Sequence, residues 1–507
     1  MIRNSDTLPP KQMTSLESIA NKTRREFLTT SASGLGGMAL GSMLAQEGVL
    51  NASTAVDGDQ FRELNSHKNP KAKACIFIYM AGAPSQLDLF ENKPKLNELD
   101  GSSLPKEILD KARFAFIKPE TAKLMGSPRT WKKHGKSGME FSDFLPHIGS
   151  CADDILKVSS LHSEEFNHHP GQLMMQCGVS RFGMPAMGSW VNYGLGSPSQ
   201  NLPGYVVLTA GRGASGGSTL WQSGFLPSKY AGVQFRNQGE PVLNLKNPDG
   251  LPPELQRAGL DALKDLNQQR YQEVHDPEIA SRIANFELAN RMQSAAPDLV
   301  DLSGETQETL DLYGVGRPEP EGTGFRGSLP GVATYDTFSR NCLLARRMVE
   351  RGVRFINIVH ASWDQHSQLD KHLAYNAGAA DQPIAALIKD LKRRGMLDST
   401  MVVWGSEFGR TPLGENRNGR PDVTGRDHHP SAYTMLMAGG GLKGGLSYGK
   451  SDDIGWDIAE NPVHINDLHA TMLRQFGLDH LKLTYRFQGR DFRLTDVGGK
   501  VIQDWIA

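Results

Sequence analysis

Six short, mostly apolar runs constrain the fold of this 507-residue chain more than anything else in it. They are ACIFIYM (74–80), ILKVSSLH (155–162), GYVVLTAG (204–211), VRFINIVH (353–360), STMVVWG (399–405) and YTMLMAGGG (433–441). A strand with one wet face alternates apolar and polar residues. These runs do not alternate, which marks strands covered on both faces. Helical spacing fills the stretches ahead of two of them. TFSRNCLLARRMVERG (337–352) stops on Gly352 before the fourth run, and AADQPIAALIKDLKRRGMLD (379–398) leads into the fifth. Helices alternating with buried strands predict an α/β fold built on a mostly parallel sheet. In such sheets, sites form beyond the carboxyl ends of the strands.

This domain is predicted over 74–495, with an irregular insertion at about 212–335 that carries a charged helical stretch, and a tail at 496–507. The chain is 38% hydrophobic and 22% charged, enough for a large core. A formal net charge of −1 offers no basic surface, so no nucleic-acid partner is expected. Cys75, Cys151, Cys177 and Cys342 form no CxxC pair, which argues against a zinc ribbon or a thioredoxin-like motif. Ahead of the domain, TRREFLTTSASGLGGMALGSMLA places Arg24 and Arg25 before a weakly apolar stretch. This resembles a bacterial twin-arginine export signal. It predicts an export region over 1–55, a linker over 56–73, the twin-arginine machinery as a partner, and a periplasmic or extracellular destination. Glycine, serine and threonine dilute residues 27–45 too much for a stable transmembrane span.

The predicted strand ends carry the chemistry. Run one is followed by Ser85 and Asp88, run two ends on His162 and is followed by Ser163, Asn167, His168 and His169, and run four is followed by Asp364 and His366. Run five ends on Glu407 with Arg410 beside it, and GRDHHP, with Asp427, His428 and His429, leads into run six. Carboxylates mixed with imidazoles suit a divalent ion such as Zn or Mn; an all-oxygen set suits Ca or Mg. Asp364 and His366 lie two apart, so in extended backbone they share a face and can reach one ion. GRGASGG (211–217) contains a G-x-S-x-G around Ser215, the pattern of a serine-hydrolase elbow, but no clear helix follows it. Its glycines suit a loop folding over a site or binding an anion.

Taken together, MAGAPSQLDLFENKP, NHHPGQLMMQCG, WDQHSQ, SEFGRTP, GRDHHPSAYTMLMAGGG and FQGRDF resemble a twin-arginine-exported, sulfatase-like family of unknown function, DUF1501, within the alkaline phosphatase superfamily. The resemblance covers about residues 70 to 495. It implies an alkaline-phosphatase-like three-layer sandwich and one or two divalent ions (Zn, Mn or Ca). Asp88 and Glu407 would bind a metal on the nucleophile side; Asp364, His366 and His428 would bind a second, with His429 a substitute ligand. Arg410 would meet a sulfate or phosphate oxygen. Phe408 stands where two-metal relatives carry histidine, which favours a single ion. No Ser, Thr or Cys occupies the nucleophile position, leaving a water, or His168 or His169, to attack.

The expected activity is hydrolysis of sulfate or phosphate esters, with a small-molecule or glycan ester as substrate. The alternative is an inactive protein on the same fold that binds glycans or envelope components.

Overall fold

The computed structural model describes residues 70–109, 122–320, 334–415 and 424–507. The predicted export region, and the linker up to residue 69, lie outside the described residues. The strands that matter here are β1 (Ala74–Ala81), β2 (Ile155–His162), β3 (Tyr205–Ala210), β4 (Val233–Phe235), β5 (Phe355–Ala361), β6 (Thr400–Gly405), β7 (Gly409–Glu415), β8 (Gly425–His429), β9 (Tyr433–Ala438), β10 (Leu446–Tyr448) and β11 (Val463–His464). Each of the six sequence runs forms one of them. The helices are α1 (His168–Cys177), α2 (Pro253–Val274), α3 (Pro277–Val300), α4 (Thr334–Glu350), α5 (Leu369–Arg393) and α6 (Ile465–Gln475).

The central sheet runs β10-β2-β9-β6-β1-β5-β3-β4, with β11 also pairing with β2. Its pairs are parallel except those of β9, which runs antiparallel to both β6 and β2. Chain length explains the exception. A parallel return needs a crossover of about a dozen residues or more, usually a helix. Between β6 and β9 the chain instead makes the antiparallel pair β7–β8, which leaves it at the same end of the sheet. From there β9 can only run back.

Side chains alternate across β1. Ile76, Ile78 and Met80 belong to a core that includes α4 and α5, while Cys75, Phe77 and Tyr79 belong to one that includes α1 and α6. Helices therefore cover both faces, and the result is an α/β fold of three layers with a mostly parallel, mixed sheet. All four cysteines are buried and unbonded. Among the described residues no helix is long and apolar enough to cross a membrane.

The region read as an insertion supplies the edge strand β4 and the paired helices α2 and α3. The final residues dock on the core. Trp505 is fully buried, and its carbonyl accepts from the Lys443 amide.

Candidate metal centre

Backbone fit at the end of β1 creates the site. Gly82 has φ +112°, and a Cβ there would lie 2.6 Å from the Asp364 amide nitrogen and 2.8 Å from that of Trp363. Only glycine lets the segment after β5 come this close. The segment then turns through Ser362 at φ +85° and presents Asp364 and His366. The β7–β8 pair sets Arg410 opposite His428, and α1 begins at His168. Four elements thus deliver side chains to one point beyond the carboxyl ends of β1, β5 and β6.

At that point His168, Asp364, His366 and His428 bring their ligand atoms within 4.8 Å of one another. Asp364 Oδ1 lies 2.7 Å from His366 Nε2, 3.2 Å from His168 Nε2 and 3.3 Å from His428 Nε2. The two Nε2 atoms of His366 and His428 are 2.9 Å apart. What stands behind the rings fixes their tautomers. His428 Nδ1 donates to the Phe166 carbonyl at 2.7 Å, and a carbonyl can only accept. His366 Nδ1 donates to the Glu415 carboxylate, and His168 Nδ1 to Glu407 Oε1 at 2.8 Å. A carboxylate or carbonyl behind each ring nitrogen is the arrangement that orients metal-bound histidines. With Nδ1 engaged behind each ring, it is the Nε2 atoms that turn toward one another and toward Asp364. Lone pairs this close repel unless protons or a metal ion lie among them. Tetrahedral coordination at about 2.1 Å separates ligand atoms by about 3.4 Å, so an opening of up to about 0.7 Å admits an ion.

Electrostatics keep Asp364 ionised. Burial would raise the Asp364 carboxyl, but Arg410 and hydrogen bonds from the three imidazoles outweigh it and hold it well below the usual carboxylate range. The Asp364 side chain is nonetheless 40% exposed, so the group opens to solvent on one side. Burial opposes protonation of His168, yet Asp364 and Glu407 push it up to about 9. Burial takes His428 the other way, down to about 4. His168 Nε2 is a buried nitrogen without a well-aligned hydrogen-bond partner.

The other residues named from the sequence fall outside the four. Asp88 lies against Arg426, with both side chains fully buried: Oδ2 accepts from Arg426 Nε at 2.8 Å and from Ser85, and Oδ1 accepts from Ser127 at 2.7 Å. Glu407 stands behind His168 because its second oxygen is taken by Tyr79 at 2.8 Å and Ser406 at 2.6 Å. Arg410 spends its donors on Asp364 (2.7 Å) and on the carbonyls of Ala83, Arg426 and Gly82, so it positions Asp364 rather than facing an incoming anion. His169 packs against Phe182, and His429 bonds the Trp456 carbonyl. Ser215 donates to Gln172 Oε1 at 3.0 Å, not to an imidazole. Phe408 stacks on His168 with centroids 5.2 Å apart and touches His428, forming an apolar wall behind both rings.

Sequence reading missed Glu415. It sits in GENRNGRPD, which reads as a polar turn. Only the pairing of β7 with β8 shows that it reaches His366. With Asp427 it makes a second close grouping around the same ring.

An α/β protein with a His₃Asp group at the carboxyl end of its sheet is the class that fold and site define. Residues 72–506 match the family described as "Protein of unknown function (DUF1501)", and the chain belongs to that family. No curated protein matches it. Among solved structures it is similar to the PsFucS1 sulfatase from Pseudoalteromonas sp. (10% identity, TM-score 0.34, covering 81% of this chain and 68% of that one). A protein in the alkaline phosphatase superfamily from Vibrio parahaemolyticus gives 11% identity and a TM-score of 0.34, covering 82% of this chain and 69% of that one. A TAB5 alkaline phosphatase mutant with Mg bound gives 11% identity and a TM-score of 0.32, covering 81% of this chain and 99% of that one. Likeness at this level says nothing about activity.

Proposed function

We propose that this protein is an exported hydrolase of sulfate or phosphate esters that uses one divalent ion. The observation that carries the reading is the convergence of Asp364 Oδ1 with the Nε2 atoms of His366 and His428, and with that of His168 beside them, within 4.8 Å of one another. Asp364, His366 and His428 would hold the ion, three protein ligands with an open position, the pattern of catalytic rather than structural sites. When bound, the ion supplies Lewis acidity toward an ester oxygen and makes water a better nucleophile. The nitrogen donors favour Zn or Mn over Ca. A single ion is favoured because Arg426 neutralises Asp88.

His168 has a different part. Held between the Asp364 and Glu407 carboxylates, it keeps a proton at Nε2, where it can donate to the leaving oxygen. Arg410 and Glu415 fix Asp364 and His366 in place. Phe408 keeps water away from the back of the His168 ring.

Metal analysis of the purified protein, with turnover of 4-nitrophenyl sulfate and phosphate, tests the reading. Native protein is expected to carry about one ion per chain, lost in Asp364→Ala together with turnover. His168→Asn is expected to keep the ion and lose turnover. Native protein without any ion sinks the proposal.

One observation favours an inactive binding protein instead. The hydroxyl and thiol candidates of the sequence are engaged elsewhere: Ser85 is tied to Asp88, Ser215 to Gln172, and all four cysteines are buried. Ion binding without turnover of any ester in a broad panel is the outcome that selects this second reading.

Export rests on Arg24 and Arg25 before the apolar stretch from Phe27. Residues 1–55 fused to a reporter should reach the periplasm only in cells with a working twin-arginine translocase.

A further inference from the structure

An open cavity of about 790 Å³ lies beside the candidate metal centre, within the range of small-ligand pockets. None of the four site residues lines it, but its walls are joined to the centre through short stretches of chain. Gln368 to Lys371 line one side, and Gln368 follows His366 by two residues, which span at most about 7 Å. Thr424 lines another side; its carbonyl accepts from the Leu369 amide at 3.2 Å, and two residues on, the Arg426 amide donates to the Gln365 carbonyl at 3.1 Å. The third wall, Met125 to Pro128, is held by the buried ion pair described above. Arg426 donates to the carbonyls of Met125 (2.9 Å) and Gly126 (3.2 Å), and Ser127 donates to Asp88.

Three polar residues on the rim use one atom on the wall and keep another. Asn97 Oδ1 accepts from the Ser127 amide at 2.7 Å, which leaves its NH₂. Asp100 Oδ1 accepts from the Gly126 amide at 2.8 Å, which leaves its second oxygen. Asp370 Oδ1 lies 3.4 Å from Arg129, again leaving one oxygen. Lys371 adds three donors. Acceptors and donors side by side match hydroxyl groups, which do both, and carboxylate acceptors make the stronger bonds. Asp100 and Asp370 stand against Lys371 and, beside the cavity, Arg129, so the charges on the rim are mixed and favour no strongly charged body. Met125 and Leu369 offer apolar contact to ring C–H groups, while no aromatic ring is found among the described lining residues to stack on a flat alcohol.

The geometry points to this cavity as the subsite for the alcohol part of the ester, and to a neutral or basic sugar as that alcohol. The inference rests on the hydrolase reading for the word ester, but the sugar site stands or falls by itself.

The test is titration of the full chain, ion bound, with the methyl glycosides of glucose, galactose and N-acetylglucosamine, with glucosamine, and with glucuronic acid as the anionic control, followed by saturation-transfer NMR. At least one neutral or basic sugar should bind saturably and better than glucuronic acid. The double variant Asp370→Ala/Lys371→Ala should weaken that binding about tenfold with its ion content and melting temperature unchanged. It should also lower kcat/KM for the sulfate or phosphate ester of that sugar relative to the 4-nitrophenyl ester. Failure of every sugar to bind, or equal binding by the variant, overturns the inference. Sugar binding without turnover of any ester removes the hydrolase reading and leaves the sugar site standing. Aryl-ester turnover without sugar binding does the reverse.

Discussion

Glu407 Oε1 lies 2.8 Å from His168 Nδ1, on the far side of the ring from Asp364. Burial would raise this carboxyl, yet its bonds to His168 and Ser406 hold it down to about 2. The acid that ends the fifth apolar run is therefore a fixed negative charge behind a histidine. Glu415 stands in the corresponding place behind His366.

The two glutamates should fail differently when neutralised. Glu415→Gln is expected to weaken ion affinity about 10- to 100-fold, as outer partners of metal-bound histidines generally do. Glu407→Gln should spare ion affinity and cut turnover, because the proposed role of His168 is to handle a proton and not the ion. Competition titration with a chelating dye measures the first effect and kcat the second. Equal loss of ion affinity in both variants would make His168 a fourth ligand.

Breaking the Asp88–Arg426 pair should cost stability rather than ion content. Both side chains are fully buried, and removing one partner of such a pair costs about 3–5 kcal/mol. Urea unfolding of Asp88→Asn and Arg426→Met should show that loss, with about one ion still bound in the fraction that folds. An Asp88→Asn protein of ordinary stability that has lost its ion would identify Asp88 as a ligand after all.

Gly82 offers a backbone test. In Gly82→Ala, left-handed strain of about 1–3 kcal/mol adds to a Cβ placed 2.6 Å from the Asp364 amide nitrogen. Melting temperature and ion affinity should fall together. Gly213→Ala serves as the control, since a Cβ there meets nothing within 4 Å.

His469 predicts a pH dependence away from the metal centre. It is buried on α6, its Nε2 donates to the Met175 carbonyl at 2.7 Å, and burial takes it from an ordinary value of 6.5 to about 4. A folded-state value below the unfolded one means that the unfolded chain takes up the proton first as pH falls. Stability is therefore complete above pH 6.5 and is lost progressively toward pH 4. At about 1.4 kcal/mol for each pKa unit, the loss approaches roughly 3 kcal/mol across that window. Urea midpoints measured between those limits should slope less in His469→Gln than in the wild type; parallel slopes would assign the dependence to other groups.

Much of the fold is legible along the chain, and for a simple reason. Doubly covered strands need apolar residues on both faces, so the six runs announce themselves without any knowledge of their neighbours. Direction is less visible: YTMLMAGGG reads like the other runs, yet β9 runs antiparallel because β7 and β8, and not a helix, precede it. The site divides in the same way. Asp364 and His366 share a face by spacing alone, but the position of His168 depends on where α1 starts against the end of β6.

By itself, then, the sequence determined which residue types collect at the strand ends: carboxylates, imidazoles and arginines, in loops following apolar runs. Only the tertiary structure decided how they pair. Asp88 and Glu407 read as ligands because any acid at a strand tip can reach an ion. Whether it does depends on which donors reach it first, and those come from residues more than three hundred positions away, Arg426 for Asp88 and Tyr79 for Glu407. Such partners are set by strand order and hairpin register, which no local spacing encodes.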